Sequence, residues 1–147
     1  MTEIIINNEF FSSYMADEFR CFGMTVPRIA VFSGGFLTIW GVISYFLQSA
    51  DPPSLTAMIP AAIGFPMVAL GILSELDSKN RHHYMHGSMF FALLMVIGGF
   101  RVFSEEGMTS LAIMSHLFLI GIGTLFIFVG IKSFRHARLK RESMVNE

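Results

Sequence analysis

Arg101 and His116 are ionisable residues set inside long apolar stretches, and His82, His83 and His86 crowd into RHHYMHG at positions 81–87. An ionisable side chain inside hydrocarbon is costly, and where one occurs it usually pairs with a partner or serves a proton, ion or ligand path. On a helical rise of 1.5 Å per residue, Arg101 lies roughly 6 Å and His116 roughly 10 Å from the ends of their stretches. If the two stretches are antiparallel neighbours, both side chains reach one level. Asp51, Glu105 and Glu106 stand in the adjoining connections, and Thr56 opens another apolar stretch. Arg101, His116, Thr56, Glu105, Glu106 and Asp51 therefore form an expected intramembrane polar cluster, with one carboxylate compensating the arginine. Its functional form is an anion or proton site. Its structural form is an arginine that snorkels to the interface and a histidine bonded to a helix backbone.

His82 and His86 are spaced i, i+4, the interval that puts two side chains on one helix face and suits paired zinc ligands. Glu75 or Asp77 is the candidate third ligand across the turn. The segment contains no second His or Cys pair and no glutamate of the HExxH kind. An interfacial role competes with metal binding, because Lys, Arg, His and Tyr place a polar head among lipid phosphates and an apolar stem in the membrane. A haem held between His86 and His116 is ruled out by their separation of roughly 20 Å along the helices, and the sequence calls for no cofactor.

Such residues need elements to hold them, and composition says what kind. The chain has 147 residues, 53% of them hydrophobic and 14% charged, with a mean hydropathy of +0.60. That is the composition of a membrane protein. A net charge of −1 argues against a nucleic-acid surface. The single cysteine, Cys21, excludes an internal disulfide and gives little support to a nucleophile.

A hydrocarbon core of about 30 Å needs about 20 apolar residues in a helix. Four stretches meet this requirement, approximately at residues 29–47, 55–74, 87–104 and 111–131. Strict apolar/polar alternation is absent, so a β-barrel, whose strands alternate, is a poor competitor. The expected fold is all-α: a single domain forming an integral membrane bundle of four transmembrane helices with up-down topology. The first stretch is too long for a signal-peptide core and lacks a small-x-small cleavage pattern, so it is expected to be a retained anchor.

Nine of the ten Lys and Arg residues fall on one side of these spans, before the first, between the second and third, and after the fourth. The opposite connections carry Asp51, Glu105 and Glu106 without a cation. The positive-inside rule then predicts that both termini are cytoplasmic, with Lys79, Arg81, Lys132, Arg135 and Arg138 at lipid headgroups. Residues 1–28 contain Phe10, Phe11, Tyr14, Met15, Phe19 and Phe22 at helical spacing, which predicts an interfacial amphipathic helix. Residues 132–147 read as a basic helical tail.

Glycine and alanine recur in every span, among them Gly34, Gly35, Gly41, Gly64, Gly71, Gly98, Gly99, Gly121 and Gly123. Small residues let helices approach closely in lipid. Pro60 and Pro66 are both expected to interrupt the second helix and kink it.

The segments SLTAMIPAAIGFPMVALG (54–71), RHHYMHG (81–87) and GGFR (98–101) resemble a functionally uncharacterised family of small bacterial membrane proteins. Its members share a threonine-alanine-x-isoleucine-proline-alanine helix start, a basic-histidine-x-methionine-histidine segment, and glycines before an arginine. The resemblance covers roughly the middle third of the chain. It implies a four-helix protein of the bacterial inner membrane, with no catalytic residues to transfer; this chain departs from the pattern in carrying both His82 and His83.

The leading functional expectation is a non-enzymatic accessory or structural component of a homo- or hetero-oligomeric membrane assembly. Its partners would be the lipid bilayer and copies of itself or other membrane subunits, with no nucleic acid. The alternatives are a small homo-oligomeric transporter or channel built on the cluster near Arg101 and His116, and a metal-binding membrane protein using His82 and His86.

Overall fold

The computed structural model describes residues 20–21 and 23–146. Arg20–Cys21 (β1) and Met24–Thr25 (β2) form a short antiparallel pair around Gly23, whose φ is +76°. Four helices follow: α1 Val26–Leu47, α2 Ile59–Leu76, α3 Arg81–Gly99 and α4 Ser110–Val145. A 3-10 turn, Leu55–Met58, leads into α2, and a second, Phe100–Phe103, continues from α3. All four helices, counted with their adjoining turns, are long and apolar enough to cross a membrane, consistent with a multi-pass membrane protein.

The helices form a ring in which α1 packs on α2 and α4, and α3 packs on α2 and α4. Glycine fixes the closest approaches. A Cβ added at Gly34 would lie 2.5 Å from the Gly64 carbonyl oxygen, and one at Gly64 would lie 2.5 Å from that of Gly34. Gly71 likewise faces the Pro27 carbonyl at 2.8 Å, and Gly123 faces that of Ala92 at 2.8 Å. These pairings run antiparallel. Inside the ring, Leu37, Met67, Met95, Leu119, Phe126 and Val129 are fully buried. Outside, Phe32, Phe46, Phe65, Phe90 and Phe128 are exposed, so the surface is apolar as well as the core, consistent with helices that cross a membrane.

Hydropathy marks apolar length, whereas a helix ends where its backbone hydrogen bonds are satisfied otherwise, so the boundaries shift. α1 begins at Val26, ahead of the expected 29, with Pro27 in the first turn, where a missing N–H has no helical partner to lose. α3 begins at Arg81, six positions ahead of the expected 87. There the Asp77 carboxylate gathers the turn, accepting from the Lys79 amide at 3.2 Å and the Asn80 side-chain amide at 2.9 Å. α4 runs unbroken to Val145, about 54 Å at 1.5 Å per residue. Its apolar part accounts for about 30 Å, and the basic extension projects beyond it.

Two expectations need correction. Pro60 does not interrupt α2: it occupies the first turn, and Pro66 alone lies inside the helix. The N-terminal amphipathic helix falls largely outside the described residues, but at its C-terminal end Arg20–Cys21 are extended rather than helical.

Candidate functional site

The polar residues collect where the C-terminal end of α1 and the end of α3 meet the starts of α2 and α4. The loop from α1 to the 3-10 turn is held by one side chain. Gln48 accepts from the Ser54 amide at 2.8 Å and donates to the Ser54 carbonyl at 3.1 Å and the Tyr45 carbonyl at 2.9 Å. Ser54 then accepts from the Thr56 amide at 3.3 Å, starting the 3-10 turn, and the Ser54 and Thr56 hydroxyls bond to each other. Across the bundle, Gly107 turns the chain at φ +78°. Thr109 starts α4 by accepting from the Ala112 amide at 3.3 Å, as an N-cap side chain does.

Arg101 lies in the 3-10 turn that ends α3, one helical turn before Glu105. Its Nε donates to Glu105 Oε1 at 2.7 Å, and Nη2 donates to the same oxygen. Both side chains are about half exposed, at 50% and 45%. The expected compensation of the arginine is therefore made by Glu105. His116 sits on α4 where Gly99 lets α3 come close: a Cβ at Gly99 would lie 2.9 Å from the His116 carbonyl oxygen. Next to it, Ser115 accepts from Trp40 Nε1 at 2.9 Å and donates to the Leu111 carbonyl at 3.0 Å. The Trp40 ring stacks edge-on against Phe118, with centroids 4.9 Å apart, which fastens α1 to α4.

These elements border a partly open cavity of about 480 Å³, lined by Thr56, Arg101, Glu105 and His116 together with Ser44, Ser115 and an apolar set that includes Leu47, Leu111 and Leu119. Four of the six residues of the expected cluster thus line one cavity. Asp51 and Glu106 are exposed and do not line the cavity, because the loops holding them turn outward. Two polar atoms of the lining residues, Ser44 Oγ and His116 Nδ1, are buried without a hydrogen-bond partner among the described residues. Ser44 is 1% exposed. A search for ionisable residues in the spans passes over it, since a helical serine ordinarily bonds its own backbone, as Ser88 does with the Tyr84 carbonyl.

The histidine-rich segment is helical, so His82 and His86 do share a face. Their rings lie 6.4 Å apart, but His86 Nδ1 is 2.6 Å from the His82 carbonyl oxygen and therefore donates to it, leaving only Nε2 as a ligand. The candidate third ligands are engaged elsewhere. Glu75 accepts from Arg28 Nε at 3.2 Å, and Asp77 holds the turn into α3. Among the described residues no three His, Cys, Asp or Glu gather as a metal site would require. His86 instead packs against Phe134 of α4 at 4.9 Å between centroids, which brings the start of α3 beside the basic extension.

The expected headgroup cations are at this same end. Lys79 is exposed in the turn and Arg81 is half-buried at the first position of α3. Lys132 covers the Phe128 ring at 4.6 Å, Arg135 is exposed, and Arg138 donates to Glu142 at 3.1 Å.

No family model, curated protein or solved structure matches this chain. The resemblance noted in the middle third of the sequence consequently adds nothing to the site beyond the four-helix architecture already described.

Proposed function

We propose that this chain is a multi-pass protein of the bacterial inner membrane, with both termini cytoplasmic, that takes up a small molecule in the cavity at the outer end of its bundle. It acts as a small transporter or membrane receptor. The observation that carries this reading is the cavity of about 480 Å³, lined by Thr56, Arg101, Glu105 and His116 together with an apolar set. Its volume falls in the range of about 300–1,000 Å³ that ligand sites occupy, and its mainly apolar lining with a few polar side chains is of the kind such sites have.

The cluster lies within one chain, so this reading does not depend on a pore along an oligomer axis. The accessory or structural role loses part of its support, because Gly34, Gly64, Gly71 and Gly123 are used in packing within the chain. What favours it as a second reading is that Gly35, Gly98 and Gly121 have no neighbour within 4 Å, leaving close approach open to another helix.

The test is extraction. Protein purified from its native membrane into lipid nanodiscs should release a small molecule in near-stoichiometric amount, and Ala57→Phe or Ala112→Phe, which fill the cavity, should lose it while retaining their elution volume. Equal amounts from wild type and both variants would overturn the reading. Orientation is read separately. In a Cys21→Ser background, a membrane-impermeant maleimide should label Glu106→Cys in intact cells and label Lys79→Cys only after lysis.

A further inference from the structure

The glycines divide the four helices into two pairs. Within the α1–α2 hairpin, backbone meets backbone at successive levels: a Cβ added at Gly71 would lie 2.8 Å from the Pro27 carbonyl oxygen, one at Gly34 2.5 Å from that of Gly64, and one at Gly41 would press on the Ala61 amide. The α3–α4 hairpin is closed in the same way, with Gly123 against the Ala92 carbonyl at 2.8 Å and Gly99 against the His116 carbonyl at 2.9 Å. Between the hairpins, side chains make the contacts. Gly87 of α3 meets the Leu70 side chain of α2 at 3.3 Å. Phe36 and Trp40 of α1 stand edge-on to Phe118 of α4, with centroids 5.3 and 4.9 Å away. Among the described residues, one hydrogen bond crosses the cavity half of this seam, from Trp40 Nε1 to Ser115 at 2.9 Å.

The two kinds of contact respond differently to motion. Backbones in van der Waals contact at several levels move as one body, whereas side chains follow a shift by changing rotamer. Met67, Met85 and Met95 in the shared core are of the most adaptable kind. In lipid no hydrophobic driving force holds the seam shut, so its closure depends on side-chain packing and that one hydrogen bond. Chain connectivity decides which end is free. The hairpins are joined through the turn 77–80, which the Asp77 carboxylate binds together. At the opposite end, residues 48–58 and 100–109 each return within their own hairpin. The partly open cavity lies at this untied end and draws its lining from both hairpins, with Ser44, Leu47 and Pro60 from the first and Leu111, Ser115 and Leu119 from the second.

We propose that the two hairpins are rigid bodies that part at the cavity end about the turn 77–80, with the Trp40–Ser115 bond as the latch, and that this motion opens the cavity to its ligand. The proposal rests on the reading of the cavity as a ligand site and adds how that site opens.

The motion is measured without a ligand. In a Cys21→Ser background, nitroxide labels on paired cysteines would be followed by double electron–electron resonance on the full chain in lipid nanodiscs. Phe46 with Met114 spans the seam at the cavity end, and Leu76 with Ile131 spans the other end. Ile43 with Phe65 reports within the first hairpin and Phe90 with Leu117 within the second; the labelled positions are exposed. The expected result is a second, longer Phe46–Met114 distance as a minor population. It should be enriched about fivefold in Trp40→Phe and in Ser115→Ala, the factor for one hydrogen bond of ordinary strength, while the other three pairs keep a single unchanged distance. Trp40→Phe retains a ring against Phe118, so the fold should survive, as the two pairs within hairpins would verify.

A single Phe46–Met114 distance in wild type and both variants overturns the motion and leaves the cavity reading to the extraction test. A longer population that neither substitution enriches overturns the latch. Broadening within the hairpins overturns their rigidity, and lengthening at Leu76–Ile131 instead overturns the pivot. Two Phe46–Met114 populations in a protein that releases no small molecule overturn the ligand site and leave the motion in place.

Discussion

Gly34 and Gly35 are adjacent in sequence yet should respond oppositely to the same methyl group. A Cβ at Gly34 would sit 2.5 Å from the Gly64 carbonyl oxygen and 2.9 Å from a Val68 methyl, whereas one at Gly35 meets nothing within 4 Å. Carbon–oxygen contacts settle near 3.3–3.6 Å, so Gly34→Ala must part α1 and α2 by roughly 0.8 Å at their crossing. That gap removes dispersion contacts from both helices, and overpacking of this kind costs about 1–3 kcal/mol. Gly35→Ala meets no obstacle and gains helix propensity, so it should be neutral or stabilising by up to about 1 kcal/mol. Gly64→Ala presses on the same crossing from the other side, with the Gly34 carbonyl at 2.5 Å and Leu37 Cβ at 2.9 Å. Once one methyl has separated the helices the second finds room, so the double variant should cost less than the sum of the singles. Reversible unfolding in mixed micelles at increasing dodecyl sulfate fraction, followed by Trp40 emission and circular dichroism, would give the values. Equal losses at Gly34 and Gly35, or strict additivity at Gly34 and Gly64, would refute the assignment of this crossing.

The turn between α2 and α3 should be acid-sensitive. The Asn80 side-chain amide, together with the Asn80 and Lys79 backbone amides, holds the Asp77 carboxyl below its ordinary 3.8. Its contribution to stability is complete above that unfolded value and is lost as pH falls through the lower folded value. Asp77→Asn should therefore be less stable than wild type at neutral pH, with the difference closing below about pH 3.8 in denaturant melts run across pH. Ser115→Ala leaves the indole N–H of Trp40 without its acceptor, a loss of about 1–3 kcal/mol that should appear in the melt together with a blue shift of tryptophan emission. Equilibrium dialysis against zinc should give wild type no more bound metal than His82→Ala/His86→Ala, since a single free imidazole nitrogen on His86 and two engaged carboxylates do not make a tetrahedral site. Stoichiometric zinc lost in the double variant would contradict this.

The number of helices was legible because burying a backbone in hydrocarbon demands about 20 apolar residues per crossing, and four such runs are written in one dimension. Their ends were less so. The apolar run of the third span begins at Gly87, but Asp77 starts the helix at Arg81 through bonds that hydropathy does not register. Pro60 and Pro66 look alike in the sequence, and only the position of the helix start separates a tolerated first-turn proline from an interior one. The amphipathic pattern before α1 did not foretell that Arg20 and Cys21 pair with Met24 and Thr25.

For the site, the sequence by itself determined which ionisable residues stand within apolar runs and, from helical rise and antiparallel order, that Arg101 and His116 reach one level. Depth is additive along a helix, so it survives without a structure. Rotation about the helix axis and the closeness of neighbouring backbones are set between elements. Tertiary structure alone decided that Glu105 answers Arg101 while Asp51 and Glu106 turn outward, and that Ser44 joins His116 with an unpaired polar atom. It also decided that Gly34 meets Gly64 while Gly35 faces away.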